Sequence, residues 1–156
     1  MNDSMEARIA RLESDVAHLR TDVADIKTDL RSVRDKLDGF KFGDHWATLE
    51  GDGELAVITW GSITGAAREA IARASADGIR TRLIAPRLLM PVRAAEMAAA
   101  LEGAKRILVV EQSHGSQFHR YLRAHYDLPA PVKVFNRAGP LQITAGEIHR
   151  AIADWR

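Results

Sequence analysis

Glu111, Gln112, Ser113 and His114 follow an apolar run, and a serine, a histidine and a carboxylate are the residue types that build an activated nucleophile. Their adjacency works against that chemistry. Neighbouring positions point in different directions, and the glycine-flanked elbow that presents a serine at a strand end is absent. His114, His119 and His125 have no spacing that stacks two imidazoles on one helical face beside a carboxylate, so no metal site is expected. The chain has no cysteine, which removes thiolate nucleophiles, disulfides, cysteine zinc sites and iron–sulfur ligation. No catalytic residue is therefore assigned. Gly61-Ser62-Ile63-Thr64-Gly65 could offer backbone N–H groups and two hydroxyls to an anion, which makes Gly61, Ser62, Thr64 and Gly65 the candidate binding residues. The segment lacks the lysine of a phosphate-binding loop and the spacing of a dinucleotide fingerprint, and Ser62 reads equally as a plain helix N-cap. Arg87, after Pro86, suits a carboxylate, a phosphate or a salt bridge to a neighbouring domain.

The elements that must position these residues alternate in type. Leu55 to Trp60 reads as a buried strand, and the turn Gly61-Ser62 leads into a helix carrying Ala66, Ala67, Ala70, Ile71 and Ala74 and closed by Gly78. Ile79 to Ala85 is the next strand. Pro91 opens an alanine-rich helix through Leu101 that Gly103 closes, and Arg106 to Glu111 is a third strand followed by a helix near Ser116 to Tyr126. Val132 to Phe135 is the fourth strand, and Thr144-Ala145-Gly146-Glu147 is a capping box that starts the last helix. Strands alternating with such helices predict an α/β fold with an open, mostly parallel three-layer sheet, whose ligands lie beyond the carboxyl ends of the strands.

The first forty residues differ in kind. Ile9, Val16, Val23, Leu30 and Leu37 fall at a, and Met5, Leu12, Leu19, Ile26 and Val33 at d, of a continuous heptad repeat. Asp3 with Glu6 resembles a capping box, and Gly39 suits a helix stop, so the helix is expected from about Ser4 to Asp38. In a parallel, in-register coil Arg8 meets Glu13, Asp15 meets Arg20, Asp22 meets Lys27 and Asp29 meets Arg34, all attractive. A full antiparallel overlap sets Arg8 against Lys36 and Asp15 against Asp29, which repel. A parallel homo-oligomer is the expectation: a dimer, with trimer and tetramer as alternatives because Leu30 at a between Ile26 and Val33 departs from the two-stranded pattern. The domains read as a coiled-coil helix over 1–38, a linker over 39–53, and an α/β domain over 54–156 on which that linker packs.

With 22 Lys and Arg against 21 Asp and Glu, the formal charge is near neutral and no nucleic-acid partner is expected. The sequence has no long apolar run and no signal-peptide pattern, so no membrane partner is expected and the localisation reads as cytoplasmic. Gly51-Asp52-Gly53 matches only the opening of the thiamine diphosphate motif. Its completing asparagines are missing, which leaves a turn before the first strand.

Residues from about Gly51 to Ile152 resemble the transketolase C-like domain II of the 2-oxoacid:ferredoxin oxidoreductase α subunit, closest to the 2-oxoglutarate type. The resemblance is carried by Val57-Ile58-Thr59-Trp60-Gly61-Ser62 with Arg68-Glu69-Ala70, by Arg87-Leu88-Leu89-Met90-Pro91, by Val109-Val110-Glu111-Gln112 with Gln117, and by Gly139-Pro140 before Glu147-Ile148. Met90 replaces a usual aromatic, and Ser116 a usual glycine. The resemblance implies no cofactor in this chain, with thiamine diphosphate, magnesium and iron–sulfur clusters on partner subunits. It further implies an accessory or split non-catalytic subunit of a 2-oxoacid oxidoreductase complex, contributing inter-subunit packing and oligomerisation. The alternatives are a non-enzymatic coiled-coil scaffold carrying a repurposed domain and, third, a small-anion or nucleotide-binding module.

Overall fold

The run Leu55–Ile58 is apolar at every position because both faces of its strand are covered. The computed structural model that shows this describes residues 3–38 and 45–156, with the side chains of residues 3, 4, 6 and 32–38 outside it. The chain divides into two compact units, Met1–Lys41 and Phe42–Arg156.

In the first unit, α1 is one α-helix over Asp3–Asp38. Its heptad residues from Met5 to Leu30 are between 45% and 65% exposed, and the hydroxyls of Thr21 and Thr28 satisfy themselves on carbonyls one turn back. The Asp3–Glu6 capping box, the side chains of Val33 and Leu37, and the Gly39 stop lie outside the described residues. Among the described residues no helix is long and apolar enough to cross a membrane.

The second unit is a five-stranded sheet in the order β1-β3-β2-β4-β5. Its strands are β1 (Ala47–Glu50), β2 (Leu55–Ile58), β3 (Thr81–Pro86), β4 (Arg106–Glu111) and β5 (Val132–Asn136), all parallel except β1, which runs antiparallel to β3. Between them lie α2 (Ile63–Ala76), α3 (Ala94–Leu101) and α4 (Gln117–His125), and α5 (Ala145–Ala153) follows β5. Alternate strand residues face opposite layers. Leu55, Val57, Leu83, Leu108 and Val110 pack under α2 and α5, whereas Ala56, Ile58, Ile84, Ile107 and Val109 pack under α3 and α4. The three-layer α/β expectation is met.

Three local expectations are corrected. The segment read as linker contains β1, whose Thr48 and Leu49 pair with Ala85 and Ile84 at the sheet edge. Four residues with one buried position are too short to show strand periodicity. The strand read to Trp60 stops at Ile58, and Trp60 turns outward. Pro91 does not open α3, which begins at Ala94, because Leu89 and Val92 pack on the α3–α4 layer and hold the chain outside helical geometry as far as Arg93.

Candidate functional site

β2 feeds α2 and then β3 on one side, while β4 lies on the other, so the topological switch point falls between the carboxyl ends of β2 and β4. Thr59 closes the crevice from below. It is fully buried, its N–H donates to the Ile84 carbonyl and its hydroxyl donates to the Val110 carbonyl at 2.8 Å, which ties the end of β2 to both neighbours.

The predicted anion residues come directly after it in the chain. Gly61 has φ +65, a left-handed conformation natural to glycine, and its carbonyl accepts from the Thr64 N–H at 3.2 Å. Ser62 is not an N-cap of the ordinary kind: its backbone is already helical (φ −65, ψ −22) and its side chain makes no cap bond. Gly61, Ser62 and Gly65 are exposed and Thr64 is half-buried. The structure thus brings the four together on one turn at the start of α2, whose first turn carries no acid. Among the described residues, no hydrogen bond or ion pair brings a basic side chain onto this turn.

At the end of β4 the candidate nucleophilic group is dispersed. The Glu111 side chain is 1% exposed, and its Oε2 accepts the Phe118 N–H at 2.6 Å, capping α4. Its Oε1 has no partner among the described residues. The Ser113 hydroxyl accepts the Gln117 N–H at 3.2 Å and caps the same helix. His114 is exposed, and no hydrogen bond among the described residues joins it to Ser113 or Glu111. Ser116 between them is left-handed (φ 52, ψ 44), a backbone strain of about 1–3 kcal/mol that the two caps hold in place. Gln112 holds the loop between β5 and α5: its Nε2 donates to the carbonyls of Gly139 and Leu141 at 3.0 Å each, and its Oε1 accepts from the Ile143 N–H.

An aromatic row roofs the α4 side. Trp60 stacks on Phe118 with centroids 5.8 Å apart, Phe118 lies 6.3 Å from Tyr121, and the Tyr121 hydroxyl donates to the Leu89 carbonyl. Burial first, and the neighbouring Tyr126 hydroxyl second, hold the Tyr121 phenol above its ordinary range. Arg87 stays exposed and donates from Nε to the Thr48 hydroxyl at 3.2 Å. Opposite, Glu147 belongs to the predicted capping box with Thr144 and is also paired with Arg137. The Arg137 hydrogen bond, followed by those from the Thr144 backbone and hydroxyl, lowers its carboxyl to about 2.

Gly51-Asp52-Gly53 lies at the other end of the sheet. Gly53 is pressed onto the backbone of Arg80, where an added Cβ would sit 2.2 Å from the Arg80 carbonyl carbon. The Arg82 guanidinium holds this turn from Nε to the Gly53 carbonyl at 2.5 Å and from Nη2 to the Asp52 carbonyl at 3.1 Å. The Asp52 carboxylate is exposed and faces Arg80 at 3.2 Å. A carboxylate so engaged does not fit a diphosphate–magnesium site, and among the described residues no group of three or more His, Asp or Glu is placed to hold a metal ion. A cavity of about 760 Å³ also opens at the amino ends of the strands, rimmed by Glu54, Asp77, Arg80 and Lys105. Lys105 is paired with Glu54 and His149 with Asp77, both at 2.7 Å, and Arg106 and Arg156 also line the cavity.

The sequence pattern missed three residues at the carboxyl end. Trp60, Met90 and Leu141 are 44%, 64% and 74% exposed, and each was hidden by its context: the first at the end of an apolar run, the others in proline-flanked loops.

Comparison with known proteins places this architecture. Residues 53–148 match the family described as pyruvate:ferredoxin oxidoreductase core domain II. The α subunit of 2-oxoacid:ferredoxin oxidoreductase 2 from Aeropyrum pernix is 35% identical over 81 residues, which is 51% of this chain and 13% of that subunit. The 2-oxoglutarate:ferredoxin oxidoreductase of Magnetococcus marinus, solved with 2-oxoglutarate, coenzyme A and succinyl-CoA bound, superposes with a TM-score of 0.63 at 27% identity, over 73% of this chain and 20% of that one. The inactive β4 tetramer of a split-gene transketolase shares the fold, with a TM-score of 0.55 at 18% identity over 70% of this chain and 41% of that one. The chain therefore spans only a small part of the length of these two oxidoreductases.

Proposed function

The chain belongs to the pyruvate:ferredoxin oxidoreductase core domain II family, and from that premise we propose that it is an accessory or split subunit of a 2-oxoacid:ferredoxin oxidoreductase assembly, with 2-oxoglutarate the favoured oxoacid. It contributes packing between subunits and oligomerisation, while thiamine diphosphate, magnesium and iron–sulfur clusters reside on partner subunits. The observation that carries this reading is the pairing of such a domain with α1, 36 residues long, whose heptad apolar residues stand exposed from Met5 to Leu30. An isolated helix of that kind is marginal in water, and association of its apolar seam supplies what propensity does not. A parallel dimer also satisfies the four flanking charge pairs. Two α/β units joined in this way are held at high local concentration, which supports assembly without new chemistry.

The experiment is sedimentation of the full chain, joined to an affinity pull-down from native cell extract with mass spectrometry and a 2-oxoglutarate, coenzyme A and viologen assay on the eluate. The expected result is an oligomer that recovers thiamine-enzyme subunits with activity. A monomer, or an oligomer that recovers only itself and no activity, overturns the accessory-subunit reading, and the second result favours a coiled-coil scaffold.

A further inference from the structure

Among the described residues of the α/β unit, the exposed large apolar side chains are Leu49, Trp60, Met90 and Leu141. Three of these four stand in loops beyond the carboxyl ends of parallel strands: Trp60 after β2, Met90 after β3 and Leu141 after β5. The opposite end is charged, with Asp52, Glu54, Arg80 and Lys105. Among the described residues the amino end is thus charged, whereas the carboxyl end presents these three apolar side chains beside polar ones such as Arg87 and His114.

The apolar end is also held rigid. Trp60 is stacked on Phe118, the carbonyl next to Met90 is fixed by the Tyr121 hydroxyl, and the Leu141 carbonyl accepts from Gln112 at 3.0 Å. Side chains on a fixed backbone lose less freedom on docking than those on a loose loop, and Trp and Met are residue types enriched at the centres of protein interfaces.

Topology supplies the occupant. Because β1 runs antiparallel, the chain enters the unit at its carboxyl end: Ala47 lies opposite Pro86, and the Trp46 carbonyl accepts from the N–H groups of Arg87 and Leu88 at 2.8 and 3.2 Å. The seven residue steps from Asp38 to His45 reach at most roughly 25 Å. In a parallel coil, two α/β units are therefore leashed by the same end, the end that carries Trp60, Met90 and Leu141. At the usual 150–250 Å² for a large side chain, the three expose roughly 350 Å² per copy. That is under half of the ~800 Å² per partner of a stable interface, so it is too little for untethered association and suits a contact made at the effective concentration of a short leash.

We propose that the carboxyl-end face docks on the same face of a second copy, an isologous contact across the two-fold of the coil. It rests on the self-association proposed above. The absence of native cysteine allows a direct test in the full chain. Met90→Cys and, independently, Leu141→Cys are treated with a short bismaleimide beside Glu102→Cys, an exposed position near the amino ends of the strands. Covalent dimers are expected at least tenfold faster from the first two, and Trp60→Glu added to either should bring the rate down to that of the control. Sedimentation of the same samples separates the failures. A dimer with equal cross-linking at all three positions overturns the docking and leaves the coil intact, whereas a monomer overturns both. Protection of Met90→Cys only when a different protein co-purifies assigns the face to that protein and overturns self-docking.

Discussion

Replacement of Arg82 by alanine should cost the α/β unit about 3 kcal/mol. The guanidinium donates to four backbone carbonyls: Gly53 at 2.5 Å, Glu102 at 2.7 Å, and Asp52 and Ala100 at 3.1 Å. It thereby clamps the turn before β2 to the last turn of α3. A hydrogen bond from a charged donor contributes about 1.5–3 kcal/mol net when its acceptor is shielded. The Gly53 and Ala100 bonds are partly buried, whereas the Asp52 and Glu102 carbonyls regain water on truncation and count for little. Loss of a cation from the end of α3 adds a few tenths of a kcal/mol. Urea unfolding followed by tryptophan fluorescence isolates this unit, because Trp46, Trp60 and Trp155 all lie outside α1. In thermal unfolding read by the same fluorescence at fixed protein concentration, the midpoint temperature should fall by roughly 10–15 °C. Arg82→Lys should recover less than half of the loss, since an ammonium cannot address four carbonyls in a fan. No carboxylate is in the set, so the loss should hardly change between low and high salt. A loss below about 1 kcal/mol, or full recovery by lysine, refutes the clamp.

The other perturbations test the capping of α4, the acid response and the coil. Glu111→Ala removes the acceptor of the Phe118 N–H and should destabilise the unit by about 2 kcal/mol, while Glu111→Gln, which keeps an acceptor oxygen, should cost less in the same fluorescence titration; equal losses count against the cap. Glu147, lowered from 4.5 to about 2 by Arg137 first and Thr144 second, adds stability that is fully present above pH 4.5 and drains away as the pH falls through 2. Arg137→Met should flatten the stability profile in that window, and an unchanged slope contradicts the assignment. Asp15→Lys with Asp22→Lys turns four interchain attractions of a parallel dimer into repulsions. At a few tenths of a kcal/mol each way, this weakens self-association by roughly tenfold or more, and sedimentation at low and high salt should show the effect shrinking as salt rises.

The layer order was legible because β2 to β5 and the helices between them announce themselves through local pattern. Leu55–Ile58 and the Ile107–Val110 centre of β4 are apolar runs of strand length, and Thr144 with Glu147 forms the predicted capping box in space. β1 was not legible. Its place is set by pairing with β3 across more than thirty residues, a long-range fact that Ala47–Glu50 does not encode locally. The start of α3 failed for a similar reason, since packing of Leu89 and Val92 outweighs the preference of Pro91 for a first helical turn. At the site, adjacency in sequence was the wrong guide to adjacency in chemistry. Glu111 and Ser113 do act together, but on N–H groups of α4, and the two bonds that reveal this span seven and four residues.

Five side chains at the carboxyl end that could do chemistry hold backbone, whereas Ser62, Thr64 and His114 make no such bond among the described residues. Glu111 and Ser113 cap α4, Gln112 pins the loop before α5, Tyr121 fixes the loop before Pro91, and Thr59 locks the switch point. Glu111 Oε2 and the Ser113 hydroxyl are committed to N–H groups of α4, and drawing either into a reaction would loosen the helix that positions it. Apolar surface carries no such duty and stands exposed, in the seam of α1 from Met5 to Leu30 and at Trp60, Met90 and Leu141. On the proposed assembling role this surface supplies free energy of association, and that has a kinetic signature. If it serves an oxidoreductase assembly, coil variants such as Asp15→Lys with Asp22→Lys should lower activity at dilute subunit concentration and regain it as the concentration is raised, with kcat of the assembled enzyme unchanged. A residue that touched the reacting atoms would behave in the opposite way, lowering kcat at every concentration. A lowered plateau in that titration would mean that the chain reaches into the chemistry, and would refute a purely assembling role.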